Sequence, residues 1–271
     1  MAGSRVLVTG ATSGIGQATV DRLLARDVEV WATARSPEDL ETLEARGARP
    51  VYLDLREDEA IADLAAELGP GEPLDGLVHN AGIGIPGAVE DLDRPALSAQ
   101  LDVNVVGPIE LTRRLAPGLR AAEGAIVLVS SLAALTHVPC YGGYCASKSA
   151  LEALGDTLRL EMGPAGVDVC MVQPGPVATA FQDRSRRLLE AYVDVAASEY
   201  REAYERIDEA IIGSLPRVDV DDVAQAIERG LTAERPPTRI PVGRWAGLGA
   251  KLLGWLPDRV HDRVLRWLFP T

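Results

Sequence analysis

The stretch Val6 to Gly16, VLVTGATSGIG, limits the folds open to this chain more than any other. The apolar run Val6-Leu7-Val8 is too short for a helix and is stopped by Gly10, so it reads as a strand. Helical spacing follows from Ile15 through Val20, Leu23 and Leu24. A strand, a tight turn and a helix N-terminus in close succession form an anion site, because free N–H groups and the helix dipole point at whatever occupies the turn. Gly10, Gly14 and Gly16 let the backbone turn sharply and approach a pyrophosphate closely. A βα turn that binds nothing can carry the same glycines, so the rest of the chain must decide.

The spacing is Thr-Gly-x-x-x-Gly-x-Gly, which differs from the G-x-G-x-x-G of many dinucleotide folds and resembles the short-chain dehydrogenase/reductase family. The resemblance implies an α/β, Rossmann-type doubly wound parallel sheet with helices on both faces, about seven strands in the order 3-2-1-4-5-6-7. It also implies that Gly10, Thr12, Ser13, Gly14, Ile15 and Gly16 bind a dinucleotide. With 271 residues the chain is long enough for one such domain spanning 1–271.

Val28 to Thr33 alternates like a second strand and runs into Ala34-Arg35-Ser36-Pro37. An acidic residue at this strand end would hold a ribose diol and select NAD. Ala34 stands there instead, followed by Arg35, whose guanidinium pairs with a 2′-phosphate that a carboxylate would repel. The expected cofactor is therefore NADP(H); a surface arginine closing a strand is the plainer alternative. Ser36-Pro37 opens a helix to about Arg46. Pro50 to Leu53 is a third strand ending in Asp54-Leu55, which the resemblance places at the adenine. Asp54 has a second use open to it, capping a helix from Glu57 to Leu68.

Leu74 to His79 is a fourth strand closed by Asn80-Ala81-Gly82, small enough to lie against the first turn and the cofactor. His79 reads as a structural or solvent-facing strand end, since no acid or nucleophile accompanies it. Ala96 to about Ala121 reads as one helix, interrupted or kinked at Gly107-Pro108 and Pro117. Asn104, among valines, must have its amide satisfied, either as a core hydrogen-bonding residue or a functional one. The resemblance implies that it distorts the helix and binds a water of a proton relay.

Ala125 to Val129 is an apolar strand ending in Ser130-Ser131, where ligands bind in sheets of this kind. Tyr144-Cys145-Ala146-Ser147-Lys148 opens a helix to about Met162 and sets Tyr144 and Lys148 on one face. A nearby cation stabilises phenolate, so Lys148 is expected to lower the Tyr144 pKa towards neutrality. Tyr141 competes less well, with Cys145 in place of a cation four residues on. Only Lys148 and Lys251 among the 27 basic residues are lysines, which sharpens the signal. Ser131 thirteen residues before Tyr144, with Asn104 upstream and Lys148 after, matches the family's catalytic tetrad. A serine-hydrolase reading fails for want of a G-x-S-x-G elbow or a histidine in a nucleophile-base context.

After a sixth strand from Val167 to Val172, Pro174, Gly175, Val177 and Thr179 match the family's nicotinamide-lining element. Residues 181–216, with Leu188, Leu189, Tyr192 and Val195 at helical spacing, suggest a lid, and Leu132 to Tyr141 its facing wall. Both favour a small-molecule carbonyl or alcohol that is fairly hydrophobic, of hydroxysteroid, retinol or acyl-ketone type. Asp219 to Leu231 is a further helix and Thr238 to Val242 a seventh strand. The extension 241–271 carries five basic against two acidic residues and apolar stripes from Trp245 to Leu256 and from Val260 to Leu268. Packing on the core or on a partner subunit, and peripheral contact with a membrane, both fit it.

Net charge −13 argues against nucleic acid as a partner. Three cysteines without ligand spacing suggest no metal, no disulfide framework and a reducing compartment. Without room for a signal peptide or a membrane-length apolar run, the expected location is cytoplasmic. The resemblance further implies a homodimer or homotetramer built on the Ala96 and Tyr144 helices. Two further classes remain beside the enzyme: a non-catalytic dinucleotide-binding regulatory or scaffold protein, and a membrane-surface module built on the tail.

Overall fold

Short apolar runs separated by amphipathic segments leave the strands no exposed face, and a computed structural model shows how both faces are covered. It describes residues 3–205, 217–243 and 256–268. The elements run β1 (Arg5–Val8), α1 (Gly14–Leu24), β2 (Glu29–Ala34), α2 (Pro37–Ala45), β3 (Arg49–Tyr52), α3 (Asp58–Leu68) and β4 (Gly76–His79). They continue with α4 (Arg94–Leu101), a π-helical turn (Asp102–Val106), α5 (Gly107–Ala122), β5 (Ala125–Val129), α6 (Gly142–Met162) and β6 (Asp168–Pro174). Then come α7 (Phe181–Tyr192), α8 (Val220–Thr232), β7 (Arg239–Val242) and α9 (Asp258–Leu268).

The seven strands form one sheet in the order β3-β2-β1-β4-β5-β6-β7, parallel throughout, as expected. Alternation along each strand sorts the side chains by face. One face carries Val6, Val8, Val30, Val78, Val127, Val129 and Val172 and is covered by Val20 and Leu23 of α1 and Val223 and Ile227 of α8. The other carries Leu7, Trp31, Leu77, Ile126, Leu128 and Met171 and is covered by residues such as Leu64 of α3, Leu111 of α5 and Leu151 of α6. Buried Glu228 on α8 accepts hydrogen bonds from Arg22 at 2.8 Å and ion-pairs with Arg26 at 2.5 Å, fixing α8 against α1. The order reverses at β1, whose neighbours are β2 and β4, the switch point beyond whose carboxyl ends sheets of this kind bind ligands.

The long helix expected from Ala96 departs from the sequence reading. The break comes before Gly107-Pro108, at the wide π turn around Asn104, and Pro117 lies inside a continuous α5. Gly107 carries the close packing here, since a Cβ on it would stand 2.3 Å from the Leu55 carbonyl oxygen. Residues 206–216 of the expected lid, and Trp245, Leu248, Lys251, Leu252, Leu253 and Trp255 of the tail, lie outside the described residues. The helix that is described in the tail, α9, buries Leu265 and leaves Trp267 exposed. No described helix is long and apolar enough to cross a membrane.

Candidate active site

Thr9 ends β1 buried and ties two loops together. Its hydroxyl donates to the Val78 carbonyl at 3.2 Å and accepts from the Asn80 and Ala81 amides at 3.0 and 3.1 Å. The Asn80 amide donates to the Thr9 and Gly10 carbonyls at 3.0 and 2.9 Å, closing the expected contact between the first turn and Asn80-Ala81-Gly82. Gly10 and Gly14 have φ of +64° and +53°, left-handed values that disfavour side chains. Gly16 is held still more tightly, because a Cβ there would stand 2.1 Å from the Gly10 carbonyl oxygen. Ser13 heads α1 without a side-chain cap, and the helix has no acidic residue in its first turn, so nothing negative competes for its N-terminus. The half-buried Thr12 lies in the turn, while Ile15 packs on the core. This uncapped cradle fits the phosphates of a dinucleotide.

At the end of β2, Arg35 is 60% exposed and stands 4.0 Å from Asp54. Asp54 does not cap the third helix, whose N-cap is Glu57. Both Asp54 oxygens instead accept from Arg56, at 3.0 and 2.6 Å, and that pairing holds its carboxyl below the usual range. Leu55 is buried, facing Gly107 through its carbonyl.

Beyond β5, Ser131 accepts a hydrogen bond from the Ala133 amide at 3.1 Å, with its side chain close enough to the Tyr144 hydroxyl to influence its titration. Lys148 is buried, donating from Nζ to the Val129 carbonyl at 2.8 Å. Its Nζ lies 5.8 Å from the centre of the Tyr144 ring. The juxtaposition expected of Ser131, Tyr144 and Lys148 is present, but the electrostatic expectation needs correction. Burial pushes the Tyr144 phenol up to about 12, with Ser131 opposing. Burial also pulls the Lys148 ammonium down to about 8, with Glu152 opposing. Desolvation outweighs the cation because the ammonium is turned to a backbone carbonyl instead of the phenol oxygen. Tyr141 meets the Tyr144 ring edge-on at 6.0 Å.

Asn104 is buried, and both ends of its amide are hydrogen-bonded. Its Oδ1 accepts from the Ile83 amide at 2.8 Å, while Nδ2 donates to the Ile83 carbonyl at 2.8 Å and Ser147 Oγ at 2.9 Å. The π turn thus pins the loop after Gly82, and a Cβ on Gly82 would meet both Asn104 and Lys148, at 3.2 and 3.6 Å. His79 is not solvent-facing: it is buried and hydrogen-bonded to Thr112 Oγ1 at 2.8 Å.

The loop after β6 crosses to the first turn. The Gly175 amide donates to Val242 at 3.0 Å, so Pro174-Gly175 is fixed by the sheet edge. The Val177 carbonyl accepts from Gln182 at 2.6 Å, and Thr179 takes the Phe181 amide at 3.2 Å. Thr179 packs against Gly14, where a Cβ would stand 3.0 Å from its methyl. Phe181 then brings its ring to 5.9 Å from that of Tyr144. An apolar cluster beside it includes Ile85, Leu92, Cys140, Leu189 and Val193. Sequence reading missed Thr9, Ser147 and Phe181 at this site. Thr9 and Ser147 lay inside the quoted motifs, but a hydroxyl's bonding partners carry no sequence signal. Among the described residues no His, Cys, Asp and Glu group could hold a metal, and all three cysteines are free.

A protein-family model described as short chain dehydrogenase matches residues 4–189. The chain is 32% identical to the oxidoreductase YbbO of Escherichia coli K12 over 96% of its own length and 93% of the relative's. Human retinol dehydrogenase 16 is 31% identical, with 98% and 89% covered, and the 3-ketodihydrosphingosine reductase of Bacteroides thetaiotaomicron is 32% identical, with 96% of each covered. Among solved structures, a short chain dehydrogenase of Burkholderia cenocepacia in complex with NADP is 26% identical at TM-score 0.75, with 97% and 98% covered. One from Burkholderia phymatum in complex with NAD is 25% identical at TM-score 0.79, with 96% and 95% covered.

Proposed function

The chain belongs to the short-chain dehydrogenase/reductase family and is an oxidoreductase; from that premise we propose that it uses NADP(H) to interconvert a fairly hydrophobic ketone or aldehyde and its alcohol. The observation that carries this reading is the juxtaposition of Ser131 and Tyr144 beyond the carboxyl end of β5, with buried Lys148 5.8 Å from the Tyr144 ring. In the reductive direction Ser131 donates a hydrogen bond to the substrate carbonyl, and Tyr144 passes its hydroxyl proton to that oxygen as the carbon takes up hydride. When bound, the nicotinamide supplies that hydride, chemistry no side chain offers. Lys148 holds the nicotinamide ribose, and its ammonium offsets the phenolate charge left on Tyr144. Asn104 Oδ1 keeps one lone pair free after bonding the Ile83 amide and anchors the water that returns the proton to Tyr144.

Gly10 to Gly16, Asn80 to Gly82, and Pro174, Gly175, Val177 and Thr179 form the dinucleotide cradle, with Asp54 and Leu55 at the adenine. Arg35 selects the 2′-phosphate: it ends β2 largely exposed, with only a 4.0 Å approach to Asp54 to compete for it. The retinol and ketodihydrosphingosine names of two relatives and the apolar cluster at Leu189 and Val193 support a lipophilic substrate. Fluorescence titration with NADPH and NADH tests the cofactor. NADPH is expected to bind more tightly, and Arg35→Ala to abolish the difference. In a carbonyl screen Tyr144→Phe is expected to bind NADPH as the wild type does while losing turnover by two or more orders of magnitude, roughly the worth of a positioned general acid. Nucleotide binding with no turnover of any carbonyl would move the scaffold reading forward.

A further inference from the structure

Arg184 lies on α7, the first helix of the lid, yet it reaches back to the opposite end of the cofactor cradle. Its Nη1 donates to Ser13 Oγ at 3.3 Å, joining residues 171 positions apart. The side chain is half-buried and forms no ion pair among the described residues. Its charged neighbours are Arg35 at the end of β2, Arg187 on α7 itself and Asp39 in the first turn of α2. Asp39 is the lone counter-charge of the three, and it bonds Ser36 at 2.8 Å. Burial and the two like charges pull the Arg184 pKa down from its ordinary value, with Asp39 opposing. A guanidinium held half-buried beside a second one, with no carboxylate bound, is costly unless an anion completes the group.

Ser13 heads α1, and the turn before it is bonded to the end of β2, the Ala11 amide donating to the Thr33 carbonyl at 3.3 Å, so Arg184 reaches the gap between the α1 N-terminus and the strand end that carries Arg35. We propose that Arg184 is a second ligand for the 2′-phosphate of NADP(H), facing Arg35 across it, so that the phosphate seats the lid helix. The proposal rests on the NADP(H) reading above and goes beyond it. Three residues before Arg184 on α7, Phe181 packs on Tyr144, and five residues after it Leu189 enters the apolar wall. Fixing Arg184 therefore fixes the part of the lid that faces the substrate. NADH, lacking the phosphate, binds the cradle without this anchor.

The test titrates NADPH, NADH and adenosine 2′,5′-bisphosphate against wild type, Arg184→Ala, Arg184→Gln and Arg35→Ala, and follows amide exchange over 181–192. Arg184→Gln keeps a donor towards Ser13 without the charge, which separates loss of the ligand from loss of the fold. Both Arg184 variants are expected to lose about tenfold or more in affinity for NADPH and the bisphosphate, the worth of a charge-assisted hydrogen bond. NADH affinity is expected to stay at the wild-type value, and NADPH to slow exchange in 181–192 in the wild type alone. Unchanged NADPH affinity in both variants would overturn the proposal. So would equal losses for NADPH and NADH, which would put Arg184 on a phosphate common to both. If Arg35→Ala loses the NADPH preference and the Arg184 variants keep it, this inference fails and the NADP(H) reading stands. If the wild type shows no preference, the NADP(H) reading itself fails.

Discussion

His79 Nε2 shares its hydrogen bond with Thr112, while Nδ1 is buried with no partner, so the ring has no room for a second proton. Burial pushes its pKa from 6.5 down to about 3. Between those values the unfolded chain binds a proton that the folded chain refuses, so stability falls as pH drops below about 6.5 and goes on falling to about 3. At pH 5 the loss is about 2 kcal/mol. Urea unfolding at pH 7 and pH 5 checks this: wild type is expected to lose about that much more than His79→Gln, and equal losses would remove the imidazole from the acid response. The same desolvation that keeps His79 neutral raises Tyr144 and lowers Lys148. The residues of the site were legible because hydroxyl, phenol and amine at fixed spacing have few other uses. Their titration was not, because it depends on depth of burial and on where Nζ points, and neither is written in Tyr144-x-x-x-Lys148.

Two elements place the chemistry, the glycine turn and the π turn, and they differ in how openly the sequence announces them. Gly10, Gly14 and Gly16 sit where only glycine fits, so their spacing is a direct imprint of backbone geometry. Gly16→Ala would drive a methyl into the Gly10 carbonyl and the Asn80 amide. The expected cost is about 1–3 kcal/mol in thermal or urea unfolding, with NADPH binding lost as the turn opens. A variant as stable as wild type would mean that the loop relaxes freely. The π turn had only one sign, a polar Asn104 among valines, while the eye is drawn to Pro108 and Pro117. Pro108 follows the π turn directly, in the first turn of α5, and Pro117 leaves α5 continuous. What widens the helix is instead the set of bonds from Asn104 to Ile83 and Ser147. Those bonds cross to other elements, beyond the reach of local pattern.

At the scale of the whole molecule, the layering followed from alternating strands and helices, since a parallel sheet needs cover on both faces, whereas the strand order came from the family resemblance. The lid contact through Arg184 did not, because an arginine in a charged stretch looks like any solvated one. Association is a further prediction at this scale. Leu101 at the end of α4, Val106 in the π turn, and Leu154 and Leu160 on α6 stay exposed, Val106 at 57% and Leu160 at 69%. A dimer or tetramer that covers these helices is expected in sedimentation, and Val106→Glu with Leu160→Glu is expected to shift it to monomer. An unchanged mass would assign association to another face. Order of synthesis gives the sheet one more property. Strand β1 leaves the ribosome first but sits in the middle, and Thr9 is joined to Val78, 69 residues later. At about 5–20 residues per second the glycine turn waits roughly 3–14 s for that neighbour. Arg184 follows Ser13 by 171 residues, a wait of roughly 9–34 s at the same pace. The first part of the site to be made is thus among the last to be completed, and until then its glycines are an open loop beside a bare strand.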